Sequence, residues 1–211
     1  GCDHDAQSPE RHGFAAFAEM PHLLFPIVSD AEEMVGRLGY LVAEMERRDR
    51  LGSSEPRLVV FLDELADLLL VGGRAMGAAL ARLVARGREC GVHVVGCTQR
   101  PSAGVLDGLV RANFPCRLVG KVASVEDGRI AAGVSGTSAE RLAGRGDFLL
   151  VVRGEVRRFQ AGYASAADVR QVVAELAEGR RPVAGTVSQR TAGVKAMTVS
   201  SPLPSFLRLI K

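Results

Sequence analysis

Val59-Val60-Phe61-Leu62-Asp63-Glu64 sets four apolar side chains in a row against two carboxylates. A run without alternation is the pattern of a strand covered on both faces. The abrupt change to acid puts both carboxylates where such a strand ends and a parallel sheet opens to its ligand crevice. This is a Walker B pattern. Read so, Asp63 holds the shell of a Mg2+ ion through water, and thereby helps to bind nucleotide, while Glu64 orients or deprotonates an attacking water. A competing reading makes the pair two acids stabilised by the positive end of a following helix. The hexapeptide alone does not separate the two.

Apolar runs rich in Val and Leu lie at 57–63, 92–98, 116–122 and 147–152, each strand-like in length and composition. Between the first two, residues 75–90 place Ala79, Leu80, Leu83 and Val84 on one helical stripe, and Gly91 follows at a C-cap position. Strand, helix, strand in that order predicts a parallel sheet. Upstream, residues 30–50 repeat Met34, Leu38, Leu41, Val42 and Met45 at helical spacing behind the capping residue Asp30. At the far end of that helix, Arg47, Arg48 and Arg50 complement the dipole. Downstream, Gly154 separates 147–152 from 156–161 as a hairpin turn, and 166–178 reads as a last helix. Residues 1–20 read as a connecting segment and 21–178 as the folded unit. Residues 179–211 turn to Ser, Thr, Pro and Gly and read as a linker or tail, with 206–210 a small apolar docking patch.

A second polar cluster, Thr98-Gln99-Arg100-Pro101, ends the next apolar run at the same edge of the expected sheet. Neutral hydrogen-bonding groups there can sense a terminal phosphate or a positioned water, which makes Thr98 a candidate nucleotide contact and Gln99 a candidate catalytic residue. A plain turn in which Pro101 starts a helix explains the proline but leaves Gln99 without a role.

These residues, taken in order with their neighbours, resemble the FtsK/SpoIIIE family of DNA translocases. The resemblance opens with Pro21-His22-Leu23-Leu24, Pro26-Ile27-Val28-Ser29-Asp30 and Glu44-Met45-Glu46-Arg47-Arg48. It continues through Leu62-Asp63-Glu64-Leu65-Ala66-Asp67-Leu68, Gly91-Val92-His93, Thr98-Gln99-Arg100-Pro101-Ser102 and Arg111-Ala112-Asn113-Phe114-Pro115. Asp127-Gly128-Arg129 and Gly144-Arg145-Gly146-Asp147-Phe148-Leu149 close it. What it implies is the C-terminal half of an α/β RecA-like P-loop NTPase core, a largely parallel sheet flanked by helices. The same resemblance implies a homo-hexameric ring that hydrolyses ATP with Mg2+ and pumps double-stranded DNA, as in chromosome segregation. Arg129 stands where the family's motif carries an arginine that reaches the neighbouring subunit's ATP, a task that suits a planar guanidinium. Arg145 is a rival for that role, and Gly144 and Gly146 read as a tight turn ahead of Phe148.

Other conspicuous residues have blander readings. His93 in its apolar run reads as a core histidine. Arg82, Arg86 and Arg88 read as a solvated helix face or a subunit interface. Arg74, in a Gly72-Gly73-Arg74 loop, and Arg111 are weak candidates for DNA phosphates, contacts that would be sequence-independent and salt-sensitive.

Composition narrows the class without choosing a partner. The chain has 211 residues, 47% of them hydrophobic, enough for one sizeable core, and a net charge of +3 that tolerates a polyanion without demanding one. Cys2, Cys90, Cys97 and Cys116 show neither CxxC spacing nor nearby histidines, so they suggest buried cysteines of a reducing cytoplasm. Asp63, Glu64 and Asp67 interrupt the most apolar window, 58–71, which speaks against membrane contact by this segment, although a full-length protein could be tethered elsewhere. No Gly-rich turn followed by Lys and Ser or Thr occurs, since Gly120-Lys121 runs on into Val122. The Walker A portion is therefore absent from this sequence, and the polypeptide alone is not expected to hydrolyse ATP. Two rival functions follow: a protein-export ATPase of the type VII secretion kind, or a catalytically incomplete interaction module.

Overall fold

A computed structural model describes residues 14–99 and 113–180. Its first helix, α1 (Ala31–Leu51), starts where Asp30 Oδ1 accepts the Glu33 amide at 2.8 Å and ends at Gly52 in the left-handed conformation. Leu38, Leu41, Val42 and Met45 on its inner stripe are buried. They pack on α2 (Leu65–Arg86) and on a parallel pair of strands, β1 (Leu58–Leu62) and β2 (Val92–Gly96), joined from Leu58 opposite Val92 to Leu62 opposite Gly96. The strand, helix, strand order thus produces the parallel pairing the sequence predicts. Gly91, at φ 72°, closes the turn before β2, and a Cβ there would lie 1.9 Å from the Ser54 carbonyl oxygen, so no other residue fits.

β3 (Cys116–Val119), β4 (Asp147–Val152) and β5 (Glu155–Gln160) form a second, antiparallel sheet in the order β3-β4-β5. Among the described residues the parallel pairing is therefore confined to β1 and β2. A tight turn at Arg153 and Gly154 obliges β4 and β5 to run antiparallel, as the hairpin reading expects. β4 alternates: Asp147, Leu149 and Val151 are buried, and Leu149 and Val151 pack on Val119, Ala132, Ala139 and Leu142. α3 (Val125–Ala132) packs on β3 and on the short turn Ala139–Arg141, and α4 (Ala166–Ala177), with a capping box between Ser165 and Asp168, packs on the turn Ala15–Phe17. Phe114, just ahead of β3, joins the Leu62, Leu65 and Leu80 cluster and so ties the second half to the first.

Two expectations are corrected. The helix between β1 and β2 starts at Leu65, not at residue 75, and Gly72-Gly73-Arg74 is a kink within it rather than a loop. Gly73 adopts φ 57° and ψ −146°, a region open in practice only to glycine, and so breaks the helix without ending it. β1 is covered on one face rather than two: Val59 and Phe61 remain 52% and 59% exposed, beside half-buried His93 and exposed Val95 of β2. Arg82 and Arg86 stay exposed, as a solvated helix face expects, and pair across the helix contact with Glu46 and Asp49 of α1.

The basic end of α1 also differs from its dipole reading. Arg48 is only 3% exposed. Its Nε donates to Glu44 at 2.8 Å, and one terminal nitrogen donates to the carbonyls of Pro56 at 2.7 Å and Cys90 at 3.2 Å. One guanidinium thus fastens α1 to the chain just before β1 and just before β2. Leu65–Cys90 has the length and hydropathy of a membrane span, and here its residues Leu65, Ala66, Met76, Leu80 and Leu83 are buried within the fold.

Candidate functional site

The site lies at the C-terminal ends of β1 and β2. There the ladder continues past the last paired residues: the Cys97 amide donates to the Leu62 carbonyl at 2.8 Å, and the Leu65 amide donates back to the Cys97 carbonyl at 2.7 Å. These two bonds hold the start of α2 against the end of β2, so Glu64 meets Thr98 and Gln99. Glu64 makes the turn from strand to helix in the left-handed conformation, φ 46° and ψ 56°, which is costly for a residue with a Cβ.

That backbone aims the Glu64 side chain away from its own helix. It caps no α2 amide. Instead its Oε1 accepts the Thr98 hydroxyl at 2.9 Å, and the Gln99 amide donates to both carboxylate oxygens, at 3.2 Å to Oε1 and 3.3 Å to Oε2. The rival picture, acids serving only to stabilise a helix N-terminus, leaves this orientation unexplained. Asp63 is exposed, and its Oδ1 accepts the Glu64 amide at 3.1 Å. Burial pushes the Cys97 thiol up, and the charges of Asp63 and Glu64 push it further, a sign of the negative potential gathered at this edge.

An exposed carboxylate with lone pairs to spare fits Mg2+, which keeps several waters and takes the rest of its oxygens from one or two carboxylates and from phosphate. Asp63 could hold such an ion. The half-buried Glu64, oriented by two donors, could hold a water.

The remaining candidates lie elsewhere. Arg129 sits in the last turn of α3, where it donates to Glu126 through Nε at 2.8 Å and through a terminal nitrogen. α3 packs on β3, in the β3-β5 half. Arg145 occupies a turn of three positive φ angles, 76° at Gly144, 53° at Arg145 and 89° at Gly146, and its carbonyl accepts the Gln160 side chain at 2.8 Å. Arg74 is exposed at the α2 kink. Arg100, Pro101 and Arg111 lie outside the described residues, as does the patch at 206–210.

Sequence reasoning missed Asp147. Its carboxylate accepts the Ala143 amide at 2.7 Å and two Arg158 nitrogens at 2.8 and 2.6 Å, which together pin the Gly144–Gly146 turn to β5. The Gly-Arg-Gly-Asp string was the available signal, but the partner eleven residues on was not.

Residues 49–103 match the model of the FtsK/SpoIIIE family. The chain is 34% identical over 191 residues to the DNA translocase SftA of Bacillus subtilis, a match covering 80% of this chain and 20% of that protein. It is 35% identical over 187 residues to the DNA translocase FtsK of Campylobacter jejuni, covering 78% and 20%. The chain thus spans about a fifth of the length of these relatives. Among solved structures, the pCW3 conjugation coupling protein TcpA, bound to ATPγS, matches at TM-score 0.63 and 23% identity over 72% of this chain and half of that one. The cytoplasmic domain of the Thermomonospora curvata type VII secretion ATPase EccC matches at TM-score 0.63 and 24% identity over 80% of this chain and 23% of that one. Both likenesses concern the fold.

Proposed function

Since this chain belongs to the FtsK/SpoIIIE family, we propose that it forms the C-terminal half of the motor domain of an ATP-driven double-stranded DNA translocase. The observation that carries the reading is the joint end of β1 and β2, where Glu64 is turned onto Thr98 and Gln99 beside exposed Asp63. In this reading Asp63 holds the Mg2+ shell through water. Glu64 orients the attacking water and accepts its proton while the bond from the terminal phosphorus to the bridging oxygen breaks, releasing ADP and phosphate. The side-chain amide of Gln99 contacts the terminal phosphate or that water. Bound Mg2+ would neutralise charge on the phosphates.

The phosphate-cradling loop comes from outside these 211 residues. Arg129, on α3 against β3 rather than on the β1 and β2 pair that carries Glu64, serves a neighbouring subunit's site in a homo-hexameric ring. Arg74 and Arg111 contribute weak contacts to DNA phosphates. The motor works in the cytoplasm, and any membrane tether belongs to another part of the complete protein.

A protein cargo is the second reading. The fold does not choose, because TcpA and EccC match equally well. The relatives at 34% and 35% identity are both named DNA translocases, and this favours DNA.

The test is ATP turnover of this polypeptide beside a version extended upstream through the preceding coding sequence, each with and without long double-stranded DNA. Only the extended version should hydrolyse ATP, and DNA should accelerate it. Glu64→Gln in that version should lower turnover by about 100-fold or more while nucleotide affinity stays within about two-fold. Turnover that ignores DNA moves the export reading ahead, and no turnover in either version moves the interaction-module reading ahead.

A further inference from the structure

We infer that Thr98 is a positioning residue that acts on the reaction through Glu64, not a ligand of the nucleotide. The inference rests on Glu64 being the residue that orients the water.

A threonine hydroxyl has one proton to donate and two lone pairs to accept with. In the structure that proton goes to Glu64 Oε1, at 2.9 Å. The oxygens of a nucleotide's terminal phosphate are acceptors, so the Thr98 hydroxyl cannot donate to them while it holds Glu64. The sequence reading, which turned Thr98 toward phosphate, asks the same proton to be in two places.

The rest of the contact explains what Thr98 does. Gln99 shares its amide proton between the two carboxylate oxygens, at 3.2 and 3.3 Å, a three-centre bond that fixes the plane of the carboxylate. Thr98 adds its donor to Oε1 only. Oε1 therefore has both acceptor positions engaged, and Oε2 keeps one open. The pair of donors thus selects which oxygen of Glu64 meets a water and in which direction. Both donors are backbone or side chain of consecutive residues at the end of β2, and the Cys97 to Leu62 and Leu65 to Cys97 bonds hold that end in register with β1. The segment that leaves β2 through Thr98 and Gln99 is therefore the jig for the base that follows the neighbouring strand. The left-handed backbone at Glu64, φ 46°, is the local cost of this arrangement, since it turns the side chain off its own helix and toward β2.

The test uses the extended, DNA-stimulated protein and three substitutions: Thr98→Val, which keeps the shape without the donor, Thr98→Ser, which keeps the donor, and Glu64→Gln. Thr98→Val should lower kcat by about ten-fold or more, with KM for ATP and affinity for a non-hydrolysable ATP analogue within about two-fold of wild type. Thr98→Ser should restore turnover to within about three-fold. Adding Thr98→Val to Glu64→Gln should cause no further loss, because in this assignment Thr98 acts on the reaction through the Glu64 carboxylate. Thr98→Ala replaces the valine variant if valine disturbs packing, as judged by thermal unfolding. An unchanged kcat in Thr98→Val, a weakened analogue affinity, or a further loss in the double variant each overturns the proposal. Normal turnover by Glu64→Gln alone would instead sink the assignment of Glu64 on which it rests.

Discussion

Asp147 takes three donors into one half-turn, the Ala143 amide and two nitrogens of Arg158, and Arg158 foremost, then the amide, holds its carboxyl well below the usual range, at about 2. Glu44 is lowered likewise, to about 2, by Arg47 first and then Arg48. A carboxylate whose folded value is depressed contributes stability that is complete above its unfolded value and lost as pH falls through the folded one. From ordinary values of 3.8 for Asp147 and 4.5 for Glu44, the loss should run from just above pH 4 down to about pH 2. Asp147→Asn should therefore lower stability at neutral pH and flatten its fall across that window, read by urea unfolding at a series of pH values. An unaltered pH profile would mean that Arg158 and Asp147 contribute nothing as an ion pair. Both Asp147 and Glu64 illustrate one limit on reading residues from sequence. Their residue types were legible as acids at informative places, but their donors lie eleven and thirty-four positions away.

At the scale of elements, β1 and β2 owe their placement at both ends to hydrogen bonds from outside the strands. At the C-terminal ends these are the Leu62, Cys97 and Leu65 backbone bonds described above. At the N-terminal ends the Leu58 amide donates to the Gly91 carbonyl at 2.8 Å, and Arg48 grips Pro56 and Cys90. Arg48→Met keeps the apolar stem but leaves those carbonyls without their guanidinium donor. It should destabilise the fold by about 2–4 kcal/mol in denaturant unfolding. A loss below about 0.5 kcal/mol, the scale of an ordinary surface substitution, would mean that the helix and the strand starts are held by packing alone. The helix boundary was misread for a related reason. Paired glycines are ordinarily a stop signal, and here Met76, fully buried beyond them, draws the chain back into the same helix on the far side of the kink.

For the whole molecule, the geometry divides the proposed chemistry between two regions: Asp63, Glu64, Thr98 and Gln99 on the parallel pair, and Arg129 on α3 against the antiparallel sheet. If Arg129 serves a neighbour, two individually inactive proteins should help each other. In the extended protein, Arg129→Ala and Glu64→Gln should each turn over slowly, and a mixture of the two should exceed the sum of the separate rates, because some sites combine an intact Glu64 with an intact partner arginine. A mixture equal to the sum would remove Arg129 from the neighbouring site. The same scale bears on β1. A run such as Val59-Val60-Phe61-Leu62 predicts two covered faces, and one of them, with Val59, Phe61 and Val95, is open to solvent in the described residues. Apolar periodicity reports how much cover a strand calls for, not whether the cover lies within the same stretch of chain.

The amino-acid sequence by itself determined where strands end in acids and polar groups, where Asp30 and Gly91 start and stop elements, that β4 and β5 turn back on each other, and the family. All of these rest on neighbours a few residues apart, where spacing alone decides geometry. Only the tertiary structure decided that α2 continues through Gly73, that Arg48 is buried on two carbonyls, that one face of β1 is uncovered, and that the Thr98 proton belongs to Glu64. Each of those depends on a contact between segments distant in the chain, and a hydroxyl with one proton, or a guanidinium with a fixed fork of donors, acquires its role only when folding settles which acceptor it meets.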